Sequence, residues 1–141
     1  MSGFTLIELL LVITLITLIG IISSPIGISF YRSQLLNETS DGLVSALRQA
    51  QSFSMSGKNE HSYGVRILPD AYIIFEGDTY GTRLEGEDQI FPVAAAVTIS
   101  GIDELVFSKF VGAPNTEGII SVAAGLKETQ IEILPSGNIE R

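Results

Sequence analysis

The pattern of apolar and polar positions begins with an almost unbroken apolar run. Between residues 4 and 22 the polar side chains are those of Glu8 and three threonines. A helix rises about 1.5 Å per residue, so this run is long enough to cross a hydrocarbon core of about 30 Å. The pattern therefore predicts a membrane-spanning helix over residues 4–24.

The pattern then changes to that of an amphipathic helix. Pro25 and Gly27 follow the apolar run, and we expect a helix break there because proline removes a backbone donor and clashes with the preceding turn. Beyond the break, apolar residues recur at helical spacing. We predict an amphipathic half over residues 25–57 that ends near Ser56, with Gly57 as its C-cap. The apolar stripe consists of Leu36, Leu43, Leu47, Ala50 and Phe53.

The remaining segment, residues 58–141, alternates in short runs that are typical of strands and are separated by Pro, Gly, Asn and Asp turn signals. The predicted fold class is therefore α+β, with a long N-terminal helix packed on an antiparallel β head. We predict strands at 62–68, 71–75, 93–99, 104–110, 118–123 and 129–134, with a short last strand after a turn at 135–137.

Composition narrows the classes of function. The chain has 141 residues and a formal net charge of -8, which suggests one domain with an appended segment. It contains no cysteine, so disulfides, thiolate zinc sites and cysteine nucleophiles are excluded. The acidic balance argues against a nucleic-acid partner, because phosphate binding needs clustered lysine and arginine.

Glu8 is the residue that the apolar run does not explain. A secretory signal peptide needs a basic region before its apolar core, but no lysine or arginine precedes Arg32. A plain membrane anchor needs no carboxylate, and burying one in a membrane segment costs about 2.5 kcal/mol or more unless it is neutralised or paired. A charge in this position therefore indicates function.

A partner for Glu8 arises if the chain is cut after Gly3. Phe4 then carries a free α-amine, one helical turn from Glu8. In an assembly of parallel helices, Glu8 of one subunit meets the amine of a neighbour, and the pairing is strong because the alternative is an isolated buried charge. The placement predicts an assembly signal and not a catalytic group.

The motif GFTLIE at residues 3–8, followed by the apolar run, resembles the processing signal of type IV pilins and type II secretion pseudopilins. The resemblance implies that a prepilin peptidase cuts between Gly3 and Phe4 and methylates the new amine. It also implies that Glu8 is the assembly residue and that Pro25 is the proline that interrupts the long helix. Residues 1–3 are then a leader remnant; they lack the family's usual basic residues, so the leader is either minimal or begins before Met1.

The same resemblance implies partners and a location. The partners are the prepilin peptidase, other pilin or pseudopilin subunits in a homo- or hetero-oligomeric filament, an inner-membrane assembly platform, and membrane lipid before assembly. The subunit is a single-pass protein of the inner (cytoplasmic) membrane with an extracytoplasmic head, which then enters a pilus or a pseudopilus at the cell surface or in the periplasm.

The head is most similar to the GspH/FimT family of minor pilins and pseudopilins, through DGLVSALRQAQSFSMSGKN at 41–59 and IEILPSGNIE at 131–140. This similarity favours a minor pilin or a secretion pseudopilin over a main shaft subunit. Two alternatives stay open: a FimT-like minor pilin for DNA uptake, and a simple membrane-anchored extracytoplasmic domain. The acidic head and a single C-terminal basic residue, Arg141, count against DNA binding.

No catalytic constellation can be assembled from the head residues, so we predict a non-enzyme without cofactor or metal. His61, the one histidine, lies in a polar loop and is interpreted as solvated. The acidic, glycine-containing loop at residues 76–88 has no EF-hand spacing. We interpret it as a solvated surface loop, with calcium binding as the alternative. Tyr63, Tyr72 and Tyr80 lack the basic groove that base stacking requires.

Overall fold

The structure, a computed structural model, describes residues 4–141, except for the side chains of residues 22–26. The chain divides into two compact units, Met1–Arg32 and Ser33–Arg141. One helix, α1 (Leu6–Ser56), begins in the first unit and ends in the second.

The described part of the first unit consists of Phe4, Thr5 and the N-terminal half of α1, whose side chains are all exposed. Gly27 lies within α1, and no atom from outside its own stretch of helix lies within 4 Å of the position that a Cβ atom would take there. α1 continues through Pro25 and Gly27, so the helix break predicted there is not observed; the side chains of residues 22–26, at the end of the predicted segment 4–24, lie outside the described residues. Among the described residues, no helical stretch has the length and apolar character needed to span a membrane.

The second unit begins with the amphipathic half of α1, as the stripe predicts. Leu43, Leu47 and Ala50 are fully buried, Leu36 is nearly so, and Phe53 is half-buried. The helix ends at Ser56, where Gly57 takes a left-handed conformation (φ 65°) and donates its N–H to the Ser54 carbonyl at 3.1 Å. Glycine suits this position because it has no Cβ to oppose a positive φ.

The head contains two antiparallel sheets of four strands each. The first has the order β3-β2-β1-β5 and the second the order β4-β6-β7-β8. Buried residues of α1 and of both sheets form one hydrophobic core, so the predicted α+β fold with a helix packed on antiparallel sheets is confirmed. The strands are β1 (Tyr63–Ile67), β2 (Ala71–Glu76), β3 (Gln89–Pro92), β4 (Thr98–Gly101), β5 (Glu104–Phe107), β6 (Gly118–Ala124), β7 (Lys127–Ile133) and β8 (Ile139–Glu140).

Two strand predictions are wrong in detail. Residues 93–97 form a connection and not a strand, because the Val97 N–H turns back to the Ala94 carbonyl at 2.9 Å, and β4 begins only at Thr98. The strand predicted over 104–110 stops at Phe107. Phe110 has a φ of 67° and donates its N–H to the Ser54 carbonyl at 2.8 Å, so the chain leaves the sheet to contact the end of α1.

The core position of Leu47 gives a stability prediction. Leu47→Ala should lower the free energy of unfolding by about 2–5 kcal/mol, because it removes buried methyl groups and leaves a cavity. The matched control is Leu126→Ala, since Leu126 is 104% exposed and contributes no buried area; its effect should stay within about 0.5 kcal/mol. Urea unfolding of the full-length chain checks both values. Equal losses for the two variants would contradict the assigned core.

Candidate functional site

The start of α1 is defined by Thr5. Its carbonyl accepts the Glu8 N–H at 3.1 Å and the Leu9 N–H at 3.2 Å, and its hydroxyl accepts the Glu8 N–H at 3.4 Å. Threonine is a favourable N-cap because its side chain accepts a hydrogen bond from an N–H that the helix leaves unpaired. Phe4 therefore lies outside the helix and is 81% exposed. Gly3 lies outside the described residues.

Glu8 lies in the first turn of α1. A carboxylate there is favoured by the positive end of the helix dipole, which helps to place a negative charge beside the N-terminus. Among the described residues, no basic side chain forms an ion pair with Glu8. The sequence-predicted assembly residue is thus exposed and is available to a group from outside the chain.

Two threonines within the apolar run form hydrogen bonds inside α1. Thr14 donates to the Leu10 carbonyl at 2.8 Å, and Thr17 donates to the Ile13 carbonyl at 2.9 Å. Because each hydroxyl donates to a carbonyl of the preceding helical turn, its O–H group stays hydrogen-bonded even in an apolar environment. Over residues 6–21, Glu8 is therefore the one side chain with an unmet polar requirement.

The same stretch exposes an extended apolar surface. Isolated exposed apolar side chains are common, but a contiguous surface of them marks an interaction site for protein or lipid. This surface surrounds Glu8 on the helix. Its members are Leu6, Ile7, Leu9, Leu10, Leu11, Val12, Ile13, Leu15, Ile16, Leu18, Ile19 and Ile21.

The head contains a second polar feature, a buried carboxylate. Glu76 is 1% exposed and lies at the end of β2. One of its oxygens accepts the Tyr63 hydroxyl at 2.7 Å and the Asn59 amide at 2.8 Å. The other lies 2.6 Å from Nδ1 of His61. Burial by itself raises the pKa of Glu76, but the hydrogen bonds from Tyr63, Asn59 and His61 outweigh it, so the pKa is lowered.

This cluster holds the segment that follows α1. Asn59 and Glu60 both have left-handed φ angles, 52° and 59°, which non-glycine residues adopt only when their surroundings impose it. Buried Ser54, in the last turn of α1, accepts the Tyr63 N–H at 2.8 Å, which ties the helix to β1. The hydrogen bonds to Glu76 thus fix a strained connection between α1 and the first sheet.

The sequence interpretation of this region needs correction. We expected His61 and the whole 76–88 loop to be solvated, but Glu76 is buried and His61, although half-exposed, contacts it. Asp88 is held by Arg83 at 2.8 Å, and the Arg83 guanidinium lies 3.9 Å from the Tyr80 ring centroid. Among the described residues, no group of three or more acidic, histidine or cysteine side chains is placed to hold a metal ion.

One sequence signal pointed to a buried carboxylate here, because Glu76 ends an otherwise apolar strand. Its partners depend on the register of β1 and β2, which pairs Glu76 with Tyr63 and which the sequence alone does not give. The three hydrogen bonds to Glu76 all come from side chains in or beside the connection between α1 and β1. We therefore interpret the cluster as structural and assign the candidate functional site to the N-terminal half of α1.

Comparisons of this chain with protein-family models, with curated proteins and with solved structures found no match.

The Glu76 cluster predicts a pH dependence of stability. Because the folded-state pKa of Glu76 is lowered, its contribution is fully present above the unfolded-state pKa of about 4.3 and is lost as the pH falls through the folded-state value. Glu76→Gln should cost about 1–3 kcal/mol at pH 7 and should flatten the acid loss of stability. Urea unfolding between pH 7 and pH 3 measures both effects.

The matched control is Glu128→Gln, at an exposed position of β7. It should leave stability at pH 7 and its acid dependence close to those of the parent chain. An unchanged acid dependence in Glu76→Gln would contradict the assigned hydrogen bonds.

Proposed function

We propose that this chain is a structural subunit of a type IV pilus or a type II secretion pseudopilus. The observation that carries the proposal is Glu8, an exposed carboxylate surrounded by apolar side chains in the first turn of α1. Folding does not require a charge at this position, and a lipid environment opposes it. Assembly explains it, because a neighbour's N-terminal amine is the cation that a parallel arrangement of helices brings closest.

The proposed sequence of events starts with the precursor in the inner membrane, held by its apolar run over residues 4–22. Prepilin peptidase cuts the chain between Gly3 and Phe4 and frees the α-amine, which it methylates. Phe4 precedes the helix cap and is exposed, so the new amine lies outside the helix, where a neighbouring subunit reaches it. An assembly platform then moves the subunit from the membrane into the filament.

The apolar surface of α1 serves in both environments of this proposal. In the membrane it contacts lipid, and in the filament it contacts the equivalent surfaces of neighbouring helices, which are equally apolar. The internal hydrogen bonds of Thr14 and Thr17 make these side chains compatible with either environment. Glu8 is the exception, because its charge is compensated only in the filament, and it therefore favours assembly over the membrane state.

The DNA-uptake alternative receives no support from the head. Phosphate binding needs available basic side chains that cluster on one surface. Arg66 contacts Glu104 at 3.3 Å, and Arg83 contacts Asp88 at 2.8 Å. Arg141 pairs with Asp41. These arginines are each neutralised by a neighbouring carboxylate, so the proposal is a filament subunit and not a DNA receptor.

The decisive test changes the charge of Glu8 without changing its size. Glu8→Gln should leave cleavage after Gly3 intact, because the peptidase acts on the preceding peptide bond. The amount of this chain in filaments sheared from cells should fall tenfold or more, since a loss of about 1.4 kcal/mol per contact already gives a factor of ten. Mass spectrometry of the sheared fraction and of the membranes measures both quantities.

Two controls separate processing from assembly. Glu128→Gln removes a carboxylate from the head and should leave the filament content unchanged. The parent chain should carry a methylated Phe4 at its N-terminus. A parent chain that keeps Gly3, or a Glu8→Gln chain that enters filaments at the parental level, would refute the proposed function.

A further inference from the structure

The hairpin between β6 and β7 ends in an unusual residue. Its two-residue turn consists of Gly125, with a φ of 67°, and Leu126. Glycine at the first position suits the primed turns that join twisted strands, but the second position usually carries a polar residue. Leu126 is 104% exposed. Its side chain contributes nothing to the core, so folding does not account for a leucine at this tip.

The same unit carries an apolar groove beside α1. The groove has a volume of about 310 Å³. One wall is formed by the rings of Tyr72 and Phe91, which stack with their centroids 5.1 Å apart and an interplanar angle of 12°. Gly42 allows this wall to approach the helix, because a Cβ atom there would lie 2.5 Å from the Tyr72 hydroxyl. The groove is lined by Leu35, Glu38, Thr39, Tyr72, Phe91, Pro92 and Ala94.

One charged side chain beside the tip is opposite in sign to one at the groove. Lys127 directly follows Leu126 and is exposed. Glu38 is exposed at the groove. Burial, and then the negative charge of Glu38, raise the pKa of Tyr72, which places that charge near the aromatic wall. A leucine flanked by a cation therefore matches an apolar groove flanked by an anion.

The two features lie on different flanks of α1. Lys127 donates to the Ser33 hydroxyl at 2.7 Å, so the hairpin tip lies beside Ser33. Leu35 and Thr39 line the groove. With about 100° between successive helix residues, Leu35 lies about 160° around the helix from Ser33. The tip of one copy therefore does not reach its own groove.

We propose that Leu126 of one copy seats in the groove of a second copy, with Lys127 facing Glu38 across the contact. Each head then gives its tip to one neighbour and receives the tip of another. Such a heterologous contact extends without closing, and an apolar projection that fits a pocket elsewhere on the same molecule produces open assemblies. The inference deepens the proposed function, on which its place in a filament rests, by naming the contact between neighbouring heads.

The contact is small, and this agrees with its position in a larger assembly. One leucine side chain is too little for a stable complex between free proteins, whose interfaces bury about 1,200–2,000 Å². When two molecules are already held together by another contact, the second contact forms at a high effective concentration and needs little affinity of its own. We therefore expect the contact in assembled subunits and not between dilute heads.

The absence of cysteine from the chain allows a direct test by disulfide cross-linking. The full-length chain is expressed in its native cells with Leu126→Cys combined with Ala94→Cys, and in a second variant with Thr39→Cys. After mild oxidation of the cells, at least one double variant should give a ladder of dimers and higher multimers. Each single variant should stay monomeric, because the proposed contact joins two different surfaces.

Matched variants test the specificity of the contact. Leu126→Cys with Glu117→Cys should not cross-link, since Glu117 is exposed at the opposite end of β6. In the cross-linking variant, Lys127→Glu and Glu38→Lys should each lower the ladder yield at least threefold, and the two together should restore it. Leu126→Ser should leave the thermal midpoint unchanged, which excludes misfolding as the cause of an assembly defect.

The outcomes separate this contact from the proposed function. Filaments that form normally while both double variants stay monomeric would overturn the contact and leave the filament function intact. A ladder without filament incorporation or cleavage after Gly3 would support the contact and refute the filament function. Dimers of the Leu126→Cys single variant alone would indicate tip-to-tip pairing and would overturn the proposed arrangement.

Discussion

The burial of one stripe of α1 is the interaction on which the head depends. The two sheets share no strand pairing, so neither is held to the other by backbone hydrogen bonds. Leu43 and Leu47 are fully buried in the core that contains residues of both sheets. A four-stranded sheet needs a partner to cover its apolar face, and the stripe of α1 contributes to that cover for both. The helix is therefore part of the head and not only a connection to the N-terminal segment.

Charged and polar groups fix the positions of two segments of the head that apolar packing alone does not fix. Apolar contacts are not directional, so they do not by themselves fix the strained segment between α1 and β1. The buried carboxylate of Glu76 does so by accepting hydrogen bonds from Tyr63, Asn59 and His61. At the other end of the chain, Arg141 binds Asn37 and Asp41, which attaches the C-terminus to α1. Both arrangements use polar groups to position segments that lack regular structure.

The sequence predicted those parts of the fold that follow from periodicity. The stripe from Leu36 to Ala50 repeats over several turns, and Gly57 is the residue that a helix end favours, so the end of α1 was correct. The short strand β3 was missed because Gln89–Pro92 alternates over only four residues. The pairing of His61 with Glu76 was missed because it depends on strand register, which joins residues far apart in sequence. Glu8 could be singled out from the sequence because a single charge in an apolar run needs no tertiary information, and its role in assembly stays a prediction.

Glu8 and Leu126 are both side chains whose character differs from that of their surroundings. One is a charge on an apolar surface, which gains only a modest benefit from the helix dipole, and the other is an apolar side chain at a polar turn, which buries no area in the core. The proposed contacts with other copies of the chain give each of these two side chains an environment that the isolated chain does not provide. In the proposed filament, a pair at Glu8 would be strong but not specific for one head, because any parallel helix supplies an amine. The proposed contact at Leu126 would be weak but would depend on the shape and charge of the groove. Together they would supply the driving force and the specificity of an ordered assembly.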